Sequence, residues 1–221
     1  GNVKKNIGYN REGRGFLLDF SPEINYHKHY INRYAFLFNE YIGNKYVYLP
    51  ELSLRHTGQK TFQFDNSHKT IALYLGGENK EFRKYPDEYA VQLLRLLNRQ
   101  GYNLLLIGDE NDNIKHTQYA EEARIDHLIN LTARTTIEGF INTIANVDLI
   151  ITIDSSALHI AAAVKTPFIA LMGLSTSPTS TILPKVPLGR ILKIENNLIR
   201  EEDYIRNITP DLILKTVSEL I

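Results

Sequence analysis

Between residues 69 and 221 the apolar positions follow two rhythms in turn: short unbroken runs rich in leucine and β-branched residues, and longer stretches in which apolar residues recur every three or four positions. The runs predict strands at Thr70 to Leu75, Asn103 to Ile107, His127 to Leu131, Leu149 to Ile153, Phe168 to Met172 and Arg190 to Ile194, because a strand covered on both faces has no polar alternation. The other stretches predict helices. Pro86 to about Gln100 places Ala90, Leu93, Leu94 and Leu97 on one face and stops at Gly101. Ile114 to Ala123 is a weaker helix, and Thr136 to Asn146 carries Ile137, Phe140, Ile141 and Ile144 at helical spacing. Asp154-Ser155-Ser156 opens an alanine-rich helix that Thr166-Pro167 ends, and Thr209-Pro210-Asp211 opens the last one, through Leu220. Six strands with helices between them imply an α/β fold, a doubly wound, Rossmann-like and mainly parallel sheet.

Residues 1 to 47 break this rhythm. Ile7 to Tyr9 and Phe16 to Leu18 read as short extended pieces around a glycine-bearing turn, Arg11 to Gly15. Tyr26 to Ile42 reads as a helix with Ile31, Tyr34, Ala35, Phe38 and Ile42 in one stripe. The stretch from Leu49 to Lys69 is polar and broken by Pro50 and Gly58. The expected organisation is therefore a remnant of a second domain at 1–48, a linker at 49–69 and the sheet domain at 70–221, since one turn and one helix bury little core.

Composition narrows the function. Lysine plus arginine and aspartate plus glutamate stand at 25 each, so no global field recruits nucleic acid, which is not an expected partner. Cysteine is absent, which removes disulfides, thiolate metal sites and thiol catalysis and suits a cytoplasmic chain. The apolar stretch around residue 160 is interrupted by Asp154, His159 and Lys165, well short of the roughly 20 residues of a membrane span. No secretory signal pattern is visible, and the chain begins at a glycine, as if upstream residues had been removed or left out.

The candidate chemistry centres on Asp148 to Gly173, where a buried strand feeds directly into a helix. Such a junction leaves unpaired backbone N–H groups and a positive dipole end at the rim of the sheet, where phosphates bind. Asp154 reads equally as the helix cap or as a ligand contact. Gly76 and Gly77, after the first strand, either admit a phosphate closely or merely turn the chain. Glu110 and Asp112 follow the second strand, where a carboxylate can hold ribose hydroxyls. His27, Lys28 and His29 lack the further ligands at defined spacing that a metal needs, so no metal is expected.

IDSSALHIAAAVKTPFIALMG, at residues 153–173, resembles the signature of family 9 glycosyltransferases, the bacterial heptosyltransferases of lipopolysaccharide core assembly. Arg83-Lys84-Tyr85-Pro86 is similar to the family's Lys-x-Trp-Pro element, and Leu105-Leu106-Ile107-Gly108 to its next strand and glycine turn. Asn130-Leu131-Thr132 with Thr135-Thr136-Ile137-Glu138 resembles the approach to the following helix. Ile7-Gly8-Tyr9 and the helix from His27 resemble the end of the family's N-terminal domain. Ser156 stands where glycine is usual, Tyr85 where tryptophan is usual, and the tail after Ile194 lacks the family's frequent cysteines.

The resemblance implies a GT-B architecture, with residues 70–221 as its nucleotide-sugar-binding C-terminal domain. It implies transfer of a sugar, expected to be heptose, from a nucleotide diphosphate donor, expected to be ADP-heptose, to a lipopolysaccharide or other glycan acceptor. The donor is substrate, and no cofactor is expected. By this resemblance Asp154 and His159 contact the donor, Ser155 and Ser156 offer N–H and hydroxyl groups to the diphosphate, Arg83 takes the place of a phosphate-binding lysine, and Thr135 lines the base pocket. The acidic catalytic base belongs to the family's N-terminal region, which precedes the part seen here, so no catalytic residue is assigned. Cytoplasmic location with peripheral contact at the inner membrane is the corresponding expectation. Alternative readings are another GT-B reaction, such as sugar-nucleotide epimerisation, and a non-catalytic nucleotide-sugar binding module.

Overall fold

Each unbroken apolar run of the sequence forms a strand. In the computed structural model these are β1 (Thr70–Tyr74), β2 (Asn103–Leu106), β3 (Leu128–Asn130), β4 (Leu149–Ile153), β5 (Phe168–Leu171) and β6 (Gly189–Leu192). The structure describes residues 4–26, 29–43, 53–64, 67–76, 83–173, 183–184, 186–194 and 201–221. These fall into two compact units, one drawn from residues 1–51 and 177–183 and one from 52–176 and 184–221.

In the larger unit the strands lie in the order β3-β2-β1-β4-β5-β6, and every pairing is parallel. The fold is the expected Rossmann-like α/β sheet. Its strand order reverses between β1 and β4, where Ile71 pairs with Leu149 and Tyr74 with Thr152. Helices α2 (Asp87–Arg99), α3 (Asn113–Ala123), α4 (Ile137–Ala145), α5 (Ser156–Val164) and α6 (Pro210–Leu220) supply the cover. α2 packs with α3 and α6, and α4 packs with α5. Alternate strand residues Ile71, Leu73, Leu104, Leu106, Leu149, Ile151, Ile169 and Leu171 join Leu93, Leu94 and Leu97 of α2 in the main core, all fully buried. α2 ends through Gly101, whose φ of 83° is left-handed and open to glycine at little cost.

Tyr85, which stands where the family signature favours tryptophan, is completely buried, and its hydroxyl donates to the Ile208 carbonyl at 2.8 Å. This bond ties the start of α2 to the turn before α6. Tyr85→Phe is expected to cost about 1–2 kcal/mol, because it leaves a buried carbonyl unsatisfied without altering the ring. Urea unfolding checks this, and an unchanged midpoint would mean that Ile208 finds another donor.

Residues 53–61 run along α4 and α5. The Leu54 N–H donates to the Ala163 carbonyl, Thr57 and Asn142 exchange two hydrogen bonds, and the Thr61 and Thr143 hydroxyls meet at 2.5 Å.

The smaller unit departs from expectation in two places. Ile7 forms a single parallel bridge with Phe20, but Arg14–Leu17, read in part as extended, is a 3-10 turn. Left-handed backbone at Glu12 and Gly13 tightens the chain, and the Asn10 side chain accepts from the Gly15 N–H at 2.9 Å, so the segment closes on itself. The helix α1 (Tyr30–Ile42) starts later than the pattern suggests. Its buried positions include Arg33 and Leu37, whereas Tyr34, Phe38 and Ile42 of the expected stripe are exposed; the Ile31 side chain lies outside the described set. Arg33 is held inward: its guanidinium donates to the Tyr26 carbonyl at 2.6 Å and lies 5.5 Å from the Tyr26 ring centroid. Leu37, one turn on, is thereby held on the same inner face.

Candidate functional site

The carboxyl ends of β1 and β4 flank the point where the strand order reverses, the usual ligand position in an open α/β sheet. After β4, Ser155 rather than Asp154 caps α5. The Ser155 backbone is extended, and its Oγ accepts from the Ala157 N–H at 3.2 Å and lies 3.0 Å from Thr152 Oγ1. The sequence left Asp154 open between cap and ligand contact. With the cap supplied by its neighbour, the Asp154 carboxylate turns to Arg83, 3.6 Å from Nη1, and both side chains are mostly buried. α5 packs closely because Ala157, Ala161 and Ala162 present little bulk, and it ends at Lys165, whose φ is 65°.

Arg83 reaches this position from the turn before α2. The Tyr85 N–H donates to the Leu75 carbonyl at 3.3 Å, which folds that turn back over the end of β1. Two opposite charges, one from the turn before α2 and one from the end of β4, thus meet beside a helix amino terminus. Lys84 goes elsewhere, to Asp87 at 2.8 Å. Burial pushes the Asp87 carboxyl up, but hydrogen bonds from Lys115, Lys84 and Tyr119 outweigh it and hold the group well below the usual carboxylate range.

A second cluster lies at the ends of β1 and β2. Glu110 stands exposed on a 3-10 turn (Glu110–Asp112), and the carboxylate that faces the protein is Asp112, 4% exposed. A capping box explains the choice: Asp109 accepts from the Asn111 N–H at 2.8 Å, and Asp112 Oδ2 accepts from the Asp109 N–H at 3.3 Å. The Tyr74 hydroxyl also bonds to Asp112, and burial with these acidic neighbours pushes the Tyr74 phenol up. A Cβ placed on Gly76 would lie 1.8 Å from Asp112 Oδ1, and one on Gly108 2.7 Å from Asp112 Oδ2. The carboxylate therefore fills the notch that these two glycines leave. Gly77 lies outside the described residues.

Thr135 is half-buried at the turn after β3, one residue ahead of Thr136, whose Oγ1 caps α4 by accepting from the Gly139 N–H at 3.1 Å. His159 and Ser156 are exposed in the first turn of α5. The structure thus joins Arg83 to Asp154 and packs Gly76 on Asp112, while Glu110 follows β2, Thr135 follows β3 and His159 stands in the first turn of α5. His27 and Lys28 are outside the described residues, and His29 Nε2 lies 3.0 Å from the Leu183 carbonyl oxygen. Among the described residues no group of three or more histidines and acids is arranged to hold a metal, and no helix is long and apolar enough to cross a membrane.

Sequence patterning did not single out His116. It lies on the buried face of α3 with Tyr119 and Ala123, is fully enclosed, and places Nδ1 2.7 Å from Thr132 Oγ1. Burial pulls its pKa down to about 4. The i, i+3, i+7 spacing on α3 was the available signal.

The sequence profile of glycosyltransferase family 9 (heptosyltransferase) matches residues 2–203. The chain belongs to glycosyltransferase family 9. It is 31% identical over 163 residues to lipooligosaccharide heptosyltransferase 2 of Haemophilus influenzae, a match covering 68% of this chain and 47% of that protein. The chain spans about half the length of the curated family 9 relatives that head this comparison. Among solved structures, its fold matches that of Escherichia coli ADP-heptose lipopolysaccharide heptosyltransferase II with a TM-score of 0.83 at 22% identity, covering 99% of this chain and 70% of that one. The E. coli heptosyltransferase WaaC, solved with ADP-2-deoxy-2-fluoro heptose, matches with a TM-score of 0.63 at 15% identity, over 92% of this chain and 60% of that one. These likenesses show a fold shared with solved heptosyltransferases.

Proposed function

We propose that this chain is the donor-binding part of a heptosyltransferase-type enzyme, in which residues 70–221 hold ADP-heptose and residues 1–48 are the end of an acceptor domain. The observation that carries the reading is the Arg83–Asp154 pair at the amino terminus of α5, beside the carboxyl ends of the two strands where the sheet order reverses. Family membership and the ADP-sugar ligand of the WaaC structure support it.

In this reading the diphosphate lies across the start of α5. The free N–H groups of the first turn and the Arg83 guanidinium face the charge that grows on the leaving diphosphate as an acceptor hydroxyl attacks the anomeric carbon and the bond from that carbon to phosphate oxygen breaks. Asp154 holds Arg83 in place and contacts the sugar end, Ser155 and Ser156 line the phosphates, and His159 stands one helical turn further on. Glu110 takes the ribose diol and Thr135 lines the base, while Asp112 fills the notch at Gly76 and holds the turn after β2. The proton of the attacking hydroxyl goes to a base from the rest of the protein. The acceptor is a lipopolysaccharide core or similar glycan, reached in the cytoplasm at the inner membrane face.

Calorimetry with ADP, UDP and GDP tests the reading. ADP is expected to bind in preference, and Arg83→Gln to weaken ADP about 10- to 100-fold while leaving adenosine unaffected, as for loss of a charge-assisted contact. If none of the three nucleotides binds and Asp154→Ala changes nothing, the site is not a donor site. If ADP-heptose binds but a longer chain that includes the N-terminal region transfers nothing, the binding-module reading replaces the enzyme.

A further inference from the structure

The turn between β3 and α4 holds a conformation that its own residues do not favour. Ala133 has a φ of 60°, left-handed backbone that costs an alanine on the order of 1 kcal/mol and persists only where surroundings impose it. Backbone bonds supply part of that constraint: the Leu131 N–H donates to Leu106, Ala133 to Gly108 and Arg134 to Leu131. From a side chain, Asn130 Oδ1 accepts from the Thr132 N–H at 3.0 Å within the turn itself. The remaining restraint comes from a different element. His116, on α3, meets the Thr132 hydroxyl at 2.7 Å, and both side chains are fully buried.

The imidazole also lies beneath the β2 turn, since a Cβ on Gly108 would stand 3.2 Å from His116 Cε1. One ring therefore touches the turns that follow both β2 and β3. His116 Nε2 is buried without a hydrogen-bond partner. A bare lone pair there costs less than an orphaned N–H, which favours the tautomer in which Nδ1–H donates to Thr132. The ring faces Asp109 and Asp112 from the β2 side, Lys84 from the turn before α2, and Tyr119, at 5.8 Å between ring centroids, on its own helix.

We infer that His116 is a positioning residue for the nucleoside end of the donor site: through Thr132 it fixes the turn at 131–134 and so sets where Thr135 stands relative to the Gly108 turn. This rests on the donor-site reading above. His116 touches no ligand. It acts as a buried strut between α3 and the two turns that border ribose and base.

The test uses the purified 221-residue chain with ADP, inorganic pyrophosphate and backbone hydrogen exchange. Thr132→Val keeps the shape and removes only the hydroxyl; His116→Leu removes the ring's polar edge; His116→Asn carries an amide that reaches the place of Nδ1. Thr132→Val and His116→Leu are each expected to weaken ADP about tenfold with pyrophosphate unchanged, and the double variant no more than either alone, as for two ends of one contact. His116→Asn is expected to recover most of the loss. Without ligand, the Ala133 and Arg134 amides of Thr132→Val should exchange about tenfold faster while those of α2 keep their rates. Equal weakening of ADP and pyrophosphate, or unchanged exchange at Ala133, overturns the inference. If the unaltered chain binds no ADP, the donor-site reading fails and the ligand half of this inference falls with it, while the exchange measurement still decides whether the pair holds the turn.

Discussion

Gly76→Ala is expected to destabilise the larger unit by about 3 kcal/mol, the upper range for overpacking a filled site. The added methyl would lie 1.8 Å from Asp112 Oδ1, a separation no pair of atoms tolerates, so either the end of β1 or the carboxylate must move. The carboxylate is poorly placed to yield. It is 4% exposed, accepts from the Asp109 N–H and bonds to Tyr74, so displacing it strands a half-buried phenol and opens the capping box. The decisive comparison is a double-mutant cycle by urea unfolding. In an Asp112→Gly background, where the obstruction is gone, the same Gly76→Ala change should cost under about 1 kcal/mol. Equal costs in both backgrounds would show that Asp112 does not fill the notch.

Acidification should weaken the fold through His116 before any carboxylate is involved. Its pKa in the folded chain is about 4, against about 6.5 for an unperturbed histidine, because burial disfavours the charged ring. The unfolded chain therefore binds the proton more readily. Stability from this group is fully present above about pH 6.5 and is lost as pH falls toward 4, in total about 3 kcal/mol. Asp87, whose carboxyl is held low by its lysine and tyrosine partners, loses its contribution only below the ordinary carboxylate range, so the two windows separate. Urea midpoints at several pH values between 7 and 4.5 should fall for the unaltered chain and stay nearly level for His116→Leu. A parallel slope in both proteins would sink the assignment.

Much of the fold was legible because a parallel sheet buries its strands on both faces and so writes them as unbroken apolar runs; β1 to β6 all lie within a residue or two of those runs. The smaller unit was less legible. Phe16 and Leu17 look like strand residues, but two left-handed positions at 12 and 13 and the Asn10 side chain closed the segment into a 3-10 turn. On α1 the apolar stripe suggested the inner face, yet Arg33, bonded to a carbonyl and stacked near a ring, is buried with Leu37 while Tyr34 and Phe38 are exposed. At the site, the sequence located the β4–α5 junction but could not separate Asp154 from Ser155 as cap, since both residue types cap helices equally well. Nor could it rank Asp112 against Glu110, because only the capping geometry turns one of them inward. His116 was invisible for a related reason. Its spacing with Tyr119 and Ala123 is helical, but a polar residue at that position reads as solvent-facing, and the weak amphipathicity of α3 concealed it.

The strand order has a consequence for how the protein is made. β1 pairs on one side with β2 and on the other with β4, whose first paired residue lies roughly eighty positions later in the chain. At a synthesis rate of about 5–20 residues per second, several seconds separate the emergence of Arg83 from that of Asp154. Until then β1 lacks its β4 partner and the arginine its aspartate. The two halves of the proposed donor site are thus born at different times, and the first must wait for the second on the ribosome.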